Sequence, residues 1–188
     1  MKILVNSMLS VFTVSIFFIS NSAYSHCTVY HPHHCTTGKI GSLPTDSIAS
    51  FQNHLIANKK GRCLDIAGGR NANRSNVQLF DCNGTRSQRW SYNGKEIRNV
   101  MGRCLEVAGG VFANRTNIQI FDCNGTKSQK WRFNLAGEIR NDKEGRCLEI
   151  AGGVNANRTN IQLFDCNATT SQKWQKTKRS YRSPGKID

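Results

Sequence analysis

The feature that most constrains this fold is a unit of about 30 residues that occurs three times. Each copy follows the pattern G-R-C-L-[DE]-[IV]-A-G-G…N-[IV]-Q-[LI]-F-D-C-N…S-Q-x-W. The copies occupy residues 61–90, 102–131 and 145–174, after short lead-ins at 55–58, 96–99 and 138–141. Apolar residues alternate with polar ones, and Gly, Asn and Thr recur every few positions, which is typical of strands and turns. A unit this short cannot bury a core alone, so we expect the three copies to share one interior.

The alternation predicts which side chains share a face in each copy. In the first copy, Asp65 lies on the same face as Gln78 and Phe80 of the next strand-like segment. If Cys63 bonds Cys82, a simple antiparallel register places Asp65 opposite Phe80. The same register places Glu106 opposite Phe121 and Glu149 opposite Phe164. An acidic residue, an amide and an aromatic ring would then form a cluster three times over.

The opposite faces supply the expected core. In the first copy these apolar residues are Leu64, Ile66, Val77, Leu79 and Trp90, each with a counterpart in the other copies. Four short strands per copy give about twelve strands in total. We expect an all-β, threefold arrangement that closes on itself, because closure removes exposed sheet edges.

The repeated pattern, with its terminal Gln-x-Trp, resembles the repeat of the ricin B-chain-type lectins. This resemblance implies a single β-trefoil of three four-stranded lobes, stapled by a disulfide within each repeat. It also implies carbohydrate binding, often of galactose-type sugars, through one shallow pocket per lobe.

Carried over residue by residue, the resemblance implies a sugar-binding role for three side chains in each lobe. They are Asp65, Gln78 and Phe80 in the first lobe, Glu106, Gln119 and Phe121 in the second, and Glu149, Gln162 and Phe164 in the third. The family's aromatic residue is usually Trp or Tyr, and its Asn before Gln-x-Trp is Ser87, Ser128 or Ser171 here. The first lobe keeps the family's Asp and is the best candidate. The alternative is a hydrogen-bonded strand pair with an exposed Phe and no ligand.

The 8 cysteines in 188 residues predict disulfides and an oxidising compartment. The expected bonds within the repeats are Cys63–Cys82, Cys104–Cys123 and Cys147–Cys166. Cys27 and Cys35 complete an even set as a fourth disulfide. The alternative for this last pair is a zinc or copper site together with His31, His33 and His34. We expect no metal and no cofactor.

The two ends of the chain carry further signals. An apolar run at residues 8–20 precedes Ala23-Tyr24-Ser25, a small-x-small arrangement that predicts a signal peptide over residues 1–25. The alternative is a retained membrane anchor. A Cys/His-containing leader over residues 26–50, the trefoil over 51–180 and a basic tail over 181–188 would follow. The expected location is extracellular, or periplasmic if the source is bacterial.

Six Asn-x-Ser/Thr sequences fall at repeated turn positions, where turn propensity explains them without glycosylation. They begin at Asn73, Asn83, Asn114, Asn124, Asn157 and Asn167.

These observations favour a secreted glycan-binding protein without enzymatic activity. The chain has no H-E-x-x-H, G-x-S-x-G or P-loop pattern, and each repeat places one acidic residue where most glycosidases need two. The formal net charge of +14 supports an alternative, a basic polyanion-binding or toxin-adaptor trefoil with degenerate sugar sites. Expected partners are glycans or glycoconjugates, anionic glycans among them, and a toxin or enzyme subunit.

Overall fold

A computed structural model describes residues 49–178, and these residues form twelve strands and six 3₁₀ helices of three residues each. The strands are β1 Phe51–Asn58, β2 Arg62–Ile66, β3 Ser75–Asp81, β4 Trp90–Tyr92, β5 Ile97–Asn99, β6 Cys104–Val107, β7 Thr116–Phe121, β8 Trp131–Phe133, β9 Ile139–Asn141, β10 Cys147–Ile150, β11 Thr159–Phe164 and β12 Trp174–Thr177. The 3₁₀ helices are Ala67–Gly69, Arg86–Gln88, Ala108–Gly110, Lys127–Gln129, Ala151–Gly153 and Thr170–Gln172. The predicted all-β class is confirmed. Lobe one comprises β1–β4, lobe two β5–β8 and lobe three β9–β12.

All three lobes contribute to one core. The predicted interior residues Leu64, Ile66, Val77, Leu79 and Trp90 are all fully buried, and their counterparts in the other lobes join the same cluster. Burial of this alternate-residue set explains why the segments form strands, since only a strand turns every second side chain to one side. The shared core expected from the repeat is therefore confirmed.

The Gln-x-Trp motif fixes the end of each repeat. In lobe one, the indole Nε1 of Trp90 donates to the carbonyl of Leu64 at 3.0 Å. The Gln88 side chain accepts from the Asn83 N–H at 2.9 Å and donates to the Asp81 carbonyl at 2.8 Å. Both polar side chains are fully buried and their hydrogen bonds are satisfied, which is the condition for burying them at low cost. The motif is structural.

The third strand of each lobe pairs with the other two third strands. β3 pairs with β7, β7 with β11, and β11 with β3, all antiparallel. β1 pairs with β12, which joins the beginning of the described region to its end. Each lobe thus lies beside both others, and residues next to a third strand reach the neighbouring lobe.

Three asparagines tie neighbouring lobes together. Asn73 of lobe one donates to the Asp122 carboxylate at 2.7 Å and accepts from the Asp122 N–H at 2.8 Å. Arg103 contacts both residues. Asn114 with Asp165 and Arg146, and Asn157 with Asp81 and Arg62, repeat this arrangement at the other two junctions. At these three Asn-x-Ser/Thr positions the side chain holds two lobes together.

The three predicted disulfides within the repeats are confirmed, but the predicted register is wrong by two residues. Cys63 pairs with Phe80, and Asp65 pairs with Gln78. The reason is that Cys82 lies beyond the end of β3, where the chain has left the ladder and the Cα atoms of Cys63 and Cys82 are 5.0 Å apart. Glu106 likewise pairs with Gln119 instead of Phe121, and Glu149 with Gln162 instead of Phe164. A shift of two leaves every side chain on its predicted face.

The predictions for the chain ends lie outside the described residues. They concern the signal peptide over 1–25, the leader over 26–50 with the Cys27–Cys35 bond, and the tail over 181–188. Among residues 49–178 there is no helix of the length and apolar character that a bilayer crossing requires.

Candidate functional site

Three open pockets, one per lobe, bring together all nine predicted site residues. Their volumes are about 540 Å³ in lobe one, 580 Å³ in lobe two and 530 Å³ in lobe three. The first is lined by Asp65, Gln78 and Phe80, the second by Glu106, Gln119 and Phe121, and the third by Glu149, Gln162 and Phe164. The sequence therefore placed these residues together correctly, although it misjudged which of them pair across the strands.

A glycine pair shapes one wall of each pocket. In lobe one, Gly68 and Gly69 follow β2 with φ angles of 62° and 65°, a left-handed conformation that favours glycine. A Cβ on Gly69 would lie 3.2 Å from the Ser87 Oγ, so the absence of a side chain also allows this close approach. Both glycines line the pocket together with Asp65.

The acidic residue and the glutamine of each pocket are hydrogen-bonded to each other. The Gln78 Nε2 donates to Asp65 at 3.0 Å, and the equivalent distances to Glu106 and Glu149 are both 2.9 Å. The three carboxylates are buried, with 6–7% of each residue exposed. The bond orients the amide so that its oxygen stays available as an acceptor beside a carboxylate.

The longer glutamates of lobes two and three are bound more completely than Asp65. Glu106 also accepts from Gln129 Nε2 at 2.7 Å, and Glu149 accepts from Gln172 Nε2 at 3.3 Å. Asp65 accepts from Gln78 at Oδ1 at 3.0 Å, and the amide of Gln88 interacts with the same carboxylate at longer range. Burial raises the pKa of Asp65, and the amides of Gln78 and Gln88 partly oppose that rise. Lobe one thus holds the carboxylate oxygen with the most free acceptor capacity.

An asparagine that sequence reasoning did not assign to the site lines each pocket. It is Asn83 in lobe one, Asn124 in lobe two and Asn167 in lobe three. The Asn83 Oδ1 accepts the Thr85 N–H at 3.1 Å, while its Nδ2 donates to no described residue. The Asn83 amide therefore has a free hydrogen-bond donor. In the ricin-type lectins an Asn stands at the position of Ser87, so Asn83 can supply the amide donor that is missing at that position. This asparagine occurs in the F-D-C-N segment of all three repeats, and that repetition could have indicated a role in the pockets.

A neighbouring lobe adds a cation to each pocket. Arg158 of lobe three lines the pocket of lobe one, Arg74 of lobe one that of lobe two, and Arg115 of lobe two that of lobe three. Their φ angles lie between 66° and 69°, and their N–H groups donate to the carbonyls of Leu79, Ile120 and Leu163 respectively. The pairing of third strands creates this arrangement, so the spacing within one repeat could not predict it.

The described residues include one group with metal-ligand geometry, Glu138 with Cys147 and Cys166. The two sulfurs are bonded to each other, and the Glu138 carboxylate is held by Lys173 and Arg140. A sulfur in a disulfide is not the thiolate that binds metal. This group is therefore structural.

Comparison with solved structures shows the same fold at low sequence identity. The designed threefold-symmetric protein ThreeFoil has a TM-score of 0.62 and 17% identity, with 65% of this chain and 96% of that one covered. A non-toxic homologue of type II RIPs from bitter gourd (Momordica charantia), in complex with α-methyl-D-galactoside, has a TM-score of 0.61 and 22% identity, with 70% and 49% covered. The C-half of the earthworm R-type lectin, in complex with GalNAc, has a TM-score of 0.58 and 18% identity, with 68% and 99% covered.

The chain spans about half the length of the bitter gourd protein. A comparison with curated protein sequences gives no match. Residues 52–174 match the family of ricin-type β-trefoil lectin domains. This range includes all three pockets and all twelve strands, apart from the first residue of β1 and the last three residues of β12. With the three lobes, the disulfides and the threefold Gln-x-Trp motif in place, this chain belongs to the family of ricin-type β-trefoil lectin domains.

Proposed function

We propose that the protein is a secreted carbohydrate-binding lectin that recognises glycans weakly and multivalently, through one shallow pocket per lobe. The observation that carries this proposal is the threefold occurrence of a carboxylate, an amide and a half-buried phenylalanine around an open cavity. Secretion rests on the N-terminal sequence.

The chemistry of each pocket suits a sugar ring. A sugar offers an apolar C–H face that packs on an aromatic ring, here Phe80 in lobe one. Its hydroxyl groups donate to a carboxylate such as Asp65 and exchange hydrogen bonds with an amide such as Gln78. A single shallow site of this kind binds with a dissociation constant on the order of millimolar, or about −4 kcal/mol. Three sites on one rigid body strengthen binding to a glycan-bearing surface by roughly 100-fold when the geometry allows simultaneous contact.

The family membership and the sugars bound by two relatives support galactose-type ligands. The bitter gourd protein was solved with α-methyl-D-galactoside and the earthworm lectin with GalNAc. No catalytic activity is proposed, since each pocket contains a single carboxylate among the described residues, whereas most glycosidases use a pair.

The net charge of +14 favours a second candidate, a basic adaptor that binds polyanions without regard to sugar identity. In that case the pockets are degenerate and the charged surface does the binding. A toxin or enzyme partner subunit is part of the same proposal, since the structures with this fold include a mosquitocidal holotoxin.

Binding to a surface coated with galactose-type glycans, measured at 0.15 M and 0.5 M salt, separates the two candidates. The variants are Phe80→Ala, Phe121→Ala and Phe164→Ala, singly and combined, and the control is Leu135→Ala, an exposed apolar residue outside the pockets. A lectin loses avidity stepwise with each pocket removed, loses binding in the triple variant, and is little affected by salt or by the control. Binding that disappears at high salt and survives the triple variant would refute the proposal in favour of the polyanion adaptor.

A further inference from the structure

The pocket of lobe two differs from the other two in its charge. It is lined by three cations, Arg74, Lys127 and Lys143, and by one carboxylate, Glu106. The other two pockets are each lined by one cation and one carboxylate. Three lobes with nearly the same sequence thus contain two electrically balanced pockets and one with an excess of positive charge.

The charges that distinguish lobe two are available to a ligand. The side chains of Arg74 and Lys127 form no hydrogen bond or ion pair within residues 49–178, and both residues are exposed. The Lys143 Nζ lies 4.5 Å from the centre of the Phe112 ring and 3.7 Å from a carboxylate oxygen of Glu144. The ring limits where Lys143 can point, and the long, exposed contact with Glu144 neutralises little of its charge.

The positive charge continues into a second cleft of about 400 Å³ that adjoins the pocket. This cleft is lined by Lys95, Lys127, Lys130, Lys143 and Asp142, so it shares two lysines with the pocket. Lys130 is held by Glu96 at 2.8 Å, whereas Lys95 forms no side-chain ion pair among the described residues. Lys127 and Lys143 therefore lie between the candidate sugar pocket and a cationic extension of it.

The equivalent positions in the other lobes do not reproduce this arrangement. The counterparts of Lys127 are Arg86 in lobe one, which does not line its pocket, and Thr170 in lobe three, which is uncharged. The counterparts of Phe112 are Asn71 and Asn155, which hydrogen-bond to the neighbouring lobe. Lys60 is the counterpart of Lys143 in the equivalent turn, but it does not line the pocket of lobe three. Of the three pockets, that of lobe two alone is lined by more than one cation.

We propose that the lobe-two pocket binds a sugar that carries an anionic group, a carboxylate or a sulfate ester. Lys127 and Lys143 bind the anion, while Gln119, Phe121 and the Glu106 carboxylate hold the ring. A neutral sugar would leave the two ammonium groups unused, and an anion without a sugar ring would leave Gln119 and Phe121 unused. This inference rests on the proposed function, since it assumes that the pocket holds a sugar.

The test is a titration of the protein, followed by NMR signals of the Gln78, Gln119 and Gln162 side-chain amides, at fixed ionic strength. The probes are methyl galactoside, its 6-sulfate, the methyl glycoside of galacturonic acid with its carboxylate ionised, and inorganic sulfate. We expect at least one of the two anionic sugars to bind lobe two about tenfold more tightly than the neutral sugar, and lobes one and three without such preference. The comparison between sulfate ester and carboxylate identifies which anion the pocket takes.

Three variants locate the effect. Lys127→Gln with Lys143→Gln is expected to bring the ratio of anionic-sugar to neutral-sugar affinity in lobe two down to about one, and this ratio is the readout. Arg86→Gln, the matched control in lobe one, removes the same net charge per residue and should change nothing in lobe two. Thr170→Lys should give lobe three a preference for the anionic sugar. A destabilised protein would not gain such a preference, so this variant separates binding from stability.

The outcomes are distinguishable. Equal affinity of lobe two for neutral and anionic sugars overturns the inference and leaves the proposed lectin function standing. If Arg86→Gln reduces the preference of lobe two for the anionic sugar as much as the double lysine variant does, the inference is also overturned, since general charge attraction would then explain the preference. Inorganic sulfate that binds lobe two as tightly as the sulfated sugar overturns it as well. If no sugar shifts any of the three amides, the proposed function itself has failed.

Discussion

Replacing Glu138 by Gln should remove a large, pH-dependent part of the protein's stability. Glu138 immediately precedes β9, and its residue is only 3% exposed. Its carboxylate accepts from Lys173 Nζ at 2.8 Å, from Arg140 Nη2 at 2.7 Å and from Asn134 Nδ2 at 2.8 Å. Because Lys173 immediately precedes β12, this ion pair connects the two ends of lobe three.

The magnitude follows from the pKa of Glu138. Burial alone would raise this pKa, but the hydrogen bonds from Lys173, Arg140 and Asn134 outweigh it and lower the value from 4.5 to about 2. At 1.36 kcal/mol per pKa unit, the charged form contributes about 3 kcal/mol to the free energy of unfolding. Since the folded-state pKa is the lower one, this contribution is fully present above pH 4.5 and is lost as the pH falls from about 4.5 towards 2.

The assay is urea denaturation of the wild type and Glu138→Gln at several pH values between 2 and 7. We expect Glu138→Gln to be less stable by about 3 kcal/mol at pH 7, and the difference to shrink progressively below pH 4.5. The control is Glu144→Gln, because that carboxylate is 47% exposed and its nearest ammonium nitrogen is 3.7 Å away. A difference that stays constant over the whole pH range, or one no larger than that of the control, would show that the Glu138 ion pairs do not supply this stability.

Three further predictions concern stability and binding. Ala168 has a φ of 60°, a left-handed conformation, where lobes one and two have glycine. Because glycine adopts this conformation without strain, Ala168→Gly should raise the free energy of unfolding by about 0.5 kcal/mol, which a higher melting temperature would show. Replacing Cys63 and Cys82 by Ala opens a loop with a sequence separation of 19 and should cost roughly 3 kcal/mol in urea denaturation. Burial raises the pKa of Asp65, so galactoside binding in lobe one should weaken on acidification at a higher pH than it would with an exposed Asp. An NMR titration of the galactoside at several pH values measures this. Binding that weakens only at the pH where an exposed Asp is protonated would contradict the prediction.

The fold could be predicted because its determinants lie within each repeat. Alternation at Leu64 and Ile66, and again at Val77 and Leu79, is enough to define the face that the fold buries. The register could not be derived in the same way, because a disulfide fixes the distance between two residues and not the ladder between them. Cys82 bonds from beyond the strand end, and the predicted pairing was consequently displaced by two residues.

The residues of the candidate site that come from one lobe could likewise be predicted, and those from a neighbouring lobe could not. The carboxylate, the glutamine and the phenylalanine of each pocket come from one lobe, so the sequence could place them on one face. Arg74, Arg158 and Lys143 reach a pocket from another lobe, and the linking role of Asn73 also crosses a lobe boundary. The contacts of Arg74, Arg158 and Asn73 depend on how β3, β7 and β11 pair, which no single repeat encodes.

We expect the sugar ring to lie between the carboxylate and the phenylalanine of each pocket. A crystal structure of the protein soaked with methyl galactoside tests it most directly. We predict a sugar in lobe one with a hydroxyl group within hydrogen-bond distance of the Asp65 carboxylate and its C–H face on the Phe80 ring, and equivalent sugars at Glu106 with Phe121 and at Glu149 with Phe164. Sugar bound elsewhere on the surface, with all three pockets holding only water, would show that the pockets are not the sugar-binding sites.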